Sequence, residues 1–302
     1  MEDRIRANGK YNFRKNRNLY LMLLPFMTLF FTFTVLPVLF STVISFTSYD
    51  VINPPRFVGF DNYIRLFVED ELFTTSIQNT FMIAIFIGPI GFMLSFTMAW
   101  FINELPRKIR AILTIVFYAP SLSGNAFMLF TLLFSNDRFG WLNSFLISRN
   151  ITDEAILFLS DPTYMMPIVI LVSLWMSLGF GFLSFVAGLQ TIDRSQFEAA
   201  YVDGLANRWQ ELWYITLPNM RPQLMFGAVL SITASLGVGD ISIALMGFPS
   251  AQYATHTMAN HLLDFGSIRM EMGYASAIAM IMLGMMLGIN KLFQKFLRRV
   301  GT

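Results

Sequence analysis

Cysteine is absent and charge is scarce: only 13% of the 302 residues are Asp, Glu, Lys or Arg. Without cysteine there can be no disulfide framework, thiolate metal site or cysteine nucleophile. Soluble domains carry roughly 25% charged residues, so this chain cannot cover a water-facing surface of ordinary size. That deficit fits a protein that crosses a membrane several times. Histidine occurs twice, at His256 and His261. Residues five apart lie on different faces of a helix, and no carboxylate or cysteine cluster joins them, so no metal site is expected. No G-x-x-x-x-G-K-[ST] cradle for phosphates is present, nor any acid–base pair framed for catalysis. The chain is therefore expected to have no catalytic residue and neither to bind nor to hydrolyse ATP by itself.

Apolar residues are plentiful, at 55%. Runs near 19–46, 76–103, 110–134, 163–189, 222–248 and 272–294 each approach or exceed the about 20 residues that span a hydrocarbon core. The first run is too long for the apolar segment of a cleavable signal, about 7–15 residues, and Pro25 and Pro37 should bend it. Lysine and arginine orient the set. With the N-terminus inside, the inner face holds Arg4, Arg6, Lys10, Arg14, Lys15 and Arg17, then Arg107, Lys108 and Arg110. It also holds Arg194, Arg208, Arg221, Lys291, Lys295, Arg298 and Arg299, leaving Arg56, Arg65, Arg138, Arg149 and Arg269 outside. Positive residues concentrate on the cytoplasmic side. The expectation is an all-α integral membrane protein with six transmembrane helices and both termini inside. A basic tail covers 1–18 and sets topology rather than binding nucleic acid; a transmembrane domain covers 19–302.

Outside the spans, the acidic cluster Glu69-Asp70-Glu71 reads as a solvated face. A short amphipathic helix is expected around Trp141–Ile147, and Asp161-Pro162 signals a helix start. The segment that says most is polar: Glu198 to Pro218, EAAYVDGLANRWQELWYITLP, set between two apolar runs. Ser195 with Glu198 forms a capping-box pattern. Phe197, Ala200, Tyr201 and Gly204 share one helical face, and Gly204 and Asn207 offer a turn. Trp209, Leu212, Trp213 and Thr216 repeat the helical spacing, and the two tryptophans are expected to pack the second short helix against nearby helix ends.

This segment resembles the EAA loop of bacterial ABC importer permeases, whose pattern is E-A-A, three residues, G, nine residues, I, one residue, L-P. Glu198, Ala199, Ala200, Gly204, Ile215, Leu217 and Pro218 match it. Ten residues rather than nine separate Gly204 from Ile215, which bears on the register of the second short helix. Gly59-Phe60-Asp61-Asn62-Tyr63, Gly140-Trp141-Leu142-Asn143 and Ala187-Gly188-Leu189-Gln190 resemble the sugar-importer branch, most closely the maltose-permease type.

The resemblance implies the type I ABC importer permease fold in the bacterial cytoplasmic membrane, with a coupling loop at 190–221. It implies three partners: an ABC ATPase dimer that supplies ATP and Mg chemistry, a second and different permease, and an extracytoplasmic solute-binding protein. Coupling to the ATPase would fall to Glu198, Ala199, Ala200, Asp203, Gly204, Ile215, Leu217 and Pro218.

For the solute path, Ser173, Ser177, Trp175 and Phe180 in the fourth run and Ser231 and Ser235 in the fifth offer hydroxyls beside aromatic faces. The same small residues would also let membrane helices approach closely. Gly284 and Gly288 form G-x-x-x-G in the sixth run, and helix packing is the plain reading. Asp240 is the one acid in an apolar run, where facing lipid costs several kcal/mol; it stands toward the outer end of the fifth. An ion-coupled secondary transporter, the competing reading, would need more such groups.

Overall fold

The computed structural model describes residues 17–297. Most of the expected basic tail, together with Arg298 and Arg299, lies outside the described residues. The chain is helical nearly throughout, as a lipid-embedded backbone must be to satisfy its own N–H and C=O groups.

Helix α1 (Tyr20–Ile44) runs through Pro25 and Pro37 as one span. A π turn at Phe31–Val35 lies just ahead of Pro37, whose missing N–H cannot reach the Phe33 carbonyl. Its side chains are mostly exposed, and it leans on the last helix, where Thr42 Oγ1 reaches the Met280 sulfur at 3.3 Å. A two-residue ribbon follows, β1 (Thr47–Ser48) antiparallel to β2 (Arg56–Phe57). Next come α2 (Glu71–Asn103), α3 (Arg107–Ser123) and α4 (Met128–Leu133). The single span expected at 110–134 is thus split. Gly124 breaks it with φ +62°, a conformation glycine adopts without steric cost.

Helix α5 (Trp141–Ser148) is the amphipathic helix anticipated there. Asp161 accepts from the Thr163 N–H to start α6 (Pro162–Met176), which continues after Gly179 as α7 (Phe180–Thr191). Two short helices, α8 (Arg194–Val202) and α9 (Arg208–Glu211), lead to α10 (Arg221–Leu236). At Gly237–Gly239 the chain bends by 44° into α11 (Asp240–Met246). Then come α12 (Met258–Leu263) and α13 (Met272–Leu297). Among the described residues, four helices are long and apolar enough to cross a membrane, or five if α10 and α11 count as one.

Three buried clusters hold the bundle. Phe182, Phe185 and Val186 of α7 pack on Ala99 and Trp100 of α2 and Leu224 of α10. Val169 and Val172 of α6 meet Ile83 and Ile87 of α2, Phe134 and Leu245. Leu66 and Phe73 pack with Met258, Phe265 and Tyr274. Close approach depends on glycine at two crossings: a Cβ on Gly227 would lie 2.3 Å from the Phe185 ring, and one on Gly91 would lie 2.9 Å from Ser177 Oγ. Gly284 and Gly288 contribute no such crossing, because a Cβ on either meets nothing within 4 Å.

Candidate functional site: the 190–221 loop and its anchor

The loop at 190–221 folds as two short helices with separate local reasons. Asp193, not Ser195, caps α8: its Oδ1 accepts from the Ser195 N–H at 3.0 Å. That bond holds the Asp193 carboxyl below the usual carboxylate range. Ser195 lies inside the helix and Glu198 is exposed, so the capping box read from the sequence does not form. The N-cap position needs an acceptor in an extended backbone, and Asp193 fills it two residues earlier.

Helix α8 ends in a Schellman motif. The Leu205 N–H bonds the Ala200 carbonyl at 2.9 Å and the Gly204 N–H bonds the Tyr201 carbonyl at 3.2 Å. Gly204 adopts φ +94°, the position where glycine commonly terminates helices. Its role within this chain is therefore conformational. Asn207 Oδ1 then accepts from the Gln210 N–H at 3.0 Å to start α9, and Gln210 Oε1 accepts from the Ala206 N–H at 2.8 Å.

From Leu212 to Thr216 the backbone is a π turn. A π turn takes one residue more than an α turn, and this one lies within the ten-residue interval that ends at Ile215. Ile215 and Thr216 are buried against the bundle, Leu217 and Pro218 are half-buried, and Trp213 and Tyr214 point outward. The tryptophans do not pack as expected. Trp209 meets the Trp100 ring at 5.6 Å between centroids but stays 70% exposed, and Trp213 is 63% exposed.

A charged anchor fixes the loop to the bundle. Glu211 is buried and accepts from the Tyr201 hydroxyl at 2.9 Å and from Arg208 at 2.8 Å. Arg208 also pairs with Glu104 in the turn between α2 and α3 at 2.9 Å. Between that turn and the loop lies a cleft of about 740 Å³, lined by Trp100, Glu104, Arg107, Glu198, Tyr201 and Arg208 among others. Phe197 and Ala200 turn inward and are half-buried, while Glu198, Ala199, Val202 and Asp203 face out. From the sequence Tyr201 reads only as part of an apolar face and Arg208 only as a topology signal, and Glu211 and Glu104 are not singled out, although Arg208 and Glu211 carry the i, i+3 spacing of a helical ion pair.

The solute-path candidates scatter. Ser173 and Ser235 are buried inside the subunit. Ser235 sits where a Gly88 Cβ would touch its Oγ at 3.4 Å, and Ser177 faces Gly91. These contacts are those of close helix packing. Trp175 stands edge-on to Phe130 at 5.1 Å, and Ser231 borders an apolar groove of about 300 Å³ with Gly88, Phe92 and Ala228. The Phe180 side chain lies outside the described residues. Asp240 is exposed at the first residue of α11, where a negative charge suits the helix N-terminus.

A helical bundle that carries an anchored, outward-facing short helix on one end is the build of a membrane permease moved by a separate subunit. The chain belongs to the family of binding-protein-dependent transport system inner membrane components, whose model matches residues 91–301. It is 33% identical over 288 residues to the probable ABC transporter permease protein YesP of Bacillus subtilis, covering 92% of this chain and 91% of that one. It is 27% identical over 277 residues to the arabinooligosaccharides transport system permease protein AraP of the same organism, covering 90% and 85%. A chain in the crystal structure of a bacterial ABC transporter that imports the acidic polysaccharide alginate is similar, with a TM-score of 0.79 and 26% identity, covering 96% and 98%. This chain is accordingly a multi-pass inner-membrane permease component of an ABC transporter.

Proposed function

We propose that this chain is one of two permease subunits in an importer of a sugar or oligosaccharide, driven by a separate ATPase dimer through the 190–221 loop. The outward face of α8 carries this reading. Val202 is 88% exposed beside Glu198 and Ala199, while Glu211, Ile215 and Thr216 fasten the loop from beneath. An exposed apolar side chain on a rigid polar loop invites a partner. Glu198, with no hydrogen bond or ion pair among the described residues, is free to meet a basic group there. ATP and Mg belong to that partner, since no phosphate cradle occurs here. Closure of the ATPase pair would then move the bundle as a body and alternate its opening.

Six spans with both termini inside agree with this. The Arg208–Glu104 pair puts the 104–110 turn and the loop on one end. The Arg65–Glu271 pair gathers segments 61–73 and 247–274 at the other. The carbohydrate class follows from relatives whose names specify arabinooligosaccharides and alginate. A periplasmic protein bound to alginate pentasaccharide accompanies the related transporter, which supports delivery by a binding protein. Solute would meet Trp175, Ser231 and Asp240 more readily than the buried Ser173 and Ser235.

Because the chain has no cysteine, Val202→Cys gives a unique thiol for the test. In the assembled transporter it should crosslink to the ATPase and be shielded from an external impermeant reagent. Labelling of that thiol from outside, or ATP-independent uptake by this chain alone in vesicles, would overturn the reading.

A further inference from the structure

At the end opposite the cytoplasmic loop, a chain of buried polar groups joins segments far apart in sequence. Asp70 Oδ1 accepts from the Phe73 N–H at 2.9 Å and so caps α2. Its Oδ2 accepts from the Tyr274 hydroxyl at 2.6 Å and lies 3.0 Å from His261 Nε2. His261 Nδ1 is 3.1 Å from His256 Nε2. Both histidines are fully buried. The sequence reading placed them on different helix faces and treated Asp70 as solvated. They meet because His256 precedes α12, whose N-cap is Thr257, and the turn folds its ring back over the helix.

Donor and acceptor roles fix the protons. An ionised carboxylate only accepts, so His261 Nε2 must donate to Asp70. In the neutral ring His261 Nδ1 is then an acceptor, and His256 Nε2 must donate to it. His256 Nδ1 is left as a bare lone pair, buried and without a partner among the described residues. One added proton enters there, where no acceptor waits among the described residues. Whichever ring then carries the charge, the buried His256 Nδ1–H is left without a hydrogen-bond partner, which is costly.

The same contacts hold the segment between α11 and α12. Asn79 Nδ2 of α2 donates to the Tyr253 and His256 carbonyls at 3.1 and 3.0 Å, and Thr80 Oγ1 accepts from the Met258 N–H at 2.9 Å. Ser242 of α11 donates to Thr255 at 2.8 Å. The held segment is strained: Gln252 and Tyr253 have φ of +50° and +56°, which non-glycine residues keep only where surroundings enforce it.

We infer that Asp70, His261 and His256 form a latch that positions the 247–257 segment on the outer ends of α2 and α11, and that a single proton from the external medium releases it. This rests on the topology proposed above. Burial lowers His256 to about 4, with His261 and Arg269 adding to the fall and Asp264 and Asp70 opposing it. Burial also lowers His261, against the pull of Asp70 and Asp264. Burial raises Asp70, but hydrogen bonds from Tyr274, the Phe73 N–H and His261 bring it below its usual range. Arg65 and Glu271 pair with each other beside Tyr274, and Arg269 pairs with Asp264, so neither pair offers His256 a counter-charge. A folded value below the unfolded 6.5 means that the neutral latch stabilises fully above about pH 6.5. The stabilisation is lost as pH falls toward about 4.

The test uses Ser250→Cys, buried in the held segment, and Asp153→Cys, an exposed control, each in the complete transporter in cells. The rate of labelling by an external impermeant thiol reagent at Ser250→Cys is divided by that at Asp153→Cys. From about pH 7.5 to about pH 4.5 the ratio should rise on the order of tenfold or more by one-proton linkage. Adding His256→Gln, which keeps a donor but cannot titrate, should remove most of that rise; His256→Asn serves if the glutamine variant does not assemble. A flat wild-type ratio, or the same rise in the variants, overturns the latch. Failure to label the control from outside would instead overturn the topology.

Discussion

The Tyr201 hydroxyl donates to Glu211 Oε2 at 2.9 Å and ties the two short helices of the 190–221 loop together across the Gly204 turn. Glu211 is the hub of this anchor, because Arg208 binds it and reaches on to Glu104 in the neighbouring turn. Arg208 is 58% exposed but Glu211 only 7%, so Arg208→Ala strands a buried carboxylate and should cost more than the roughly 0–1 kcal/mol of an exposed pair. Glu211→Ala removes that charge but frees Tyr201 and empties a buried site. Thermal unfolding of the purified complex should rank the two, with ATPase activity uncoupled from solute in the Glu211 variant.

Glu198 faces outward with no partner among the described residues. Glu198→Ala should leave membrane insertion and thermal stability unchanged within about 0.5 kcal/mol, yet lower solute-stimulated ATP hydrolysis. A loss of stability with normal coupling would return Glu198 to a purely local role.

Gly204 stands in open space at φ +94°, so replacement is opposed by backbone conformation and not by collision. Alanine should cost about 1 kcal/mol in the loop, valine more, and asparagine less because it tolerates positive φ. Copurification of the ATPase should fall in the order glycine, asparagine, alanine, valine.

The π turn at Leu212–Thr216 predicts an unusual tolerance. Deleting Tyr214, which is 69% exposed, should convert that turn to an α turn and restore the nine-residue spacing with Ile215 still facing the bundle. Uptake should survive this deletion but not deletion of Ala199, which would rotate the outward face of α8.

Gly227 and Phe185 set the spacing of α10 and α7. Gly227→Ala would force its Cβ into the ring and should destabilise by about 1–3 kcal/mol. Adding Phe185→Leu should recover part of that loss, as measured by the yield of folded detergent-solubilised protein.

Much of this was legible in the chain itself. Hydrophobic length located four spans and a bent fifth among the described residues, because a lipid core demands about 20 apolar residues wherever helices cross. The Glu198–Pro218 pattern located the loop, because a polar segment between apolar ones must leave the membrane. Asp161 and the helix at Trp141 followed from local rules. Three features did not. Ser195 and Asp193 both carry capping side chains, and only backbone geometry decides between them. The run at 110–134 looked continuous because hydropathy is blind to a single residue such as Gly124 turning the chain. The serines of α6 and α10 looked like a polar pathway, yet Ser177 and Ser235 fit against Gly91 and Gly88.

By itself the sequence determined that this protein lives in a bilayer and carries a polar elbow between two apolar runs. These depend on composition and local spacing, which persist in any fold the chain adopts. Tertiary structure alone decided that Glu104 holds Arg208, that the backbone at Leu212–Thr216 winds as a π turn, and that Asp70 finds His261 across 191 positions. Such pairings depend on how helices pack, and two groups distant in sequence acquire a shared chemistry only when burial removes the water that would otherwise satisfy each separately.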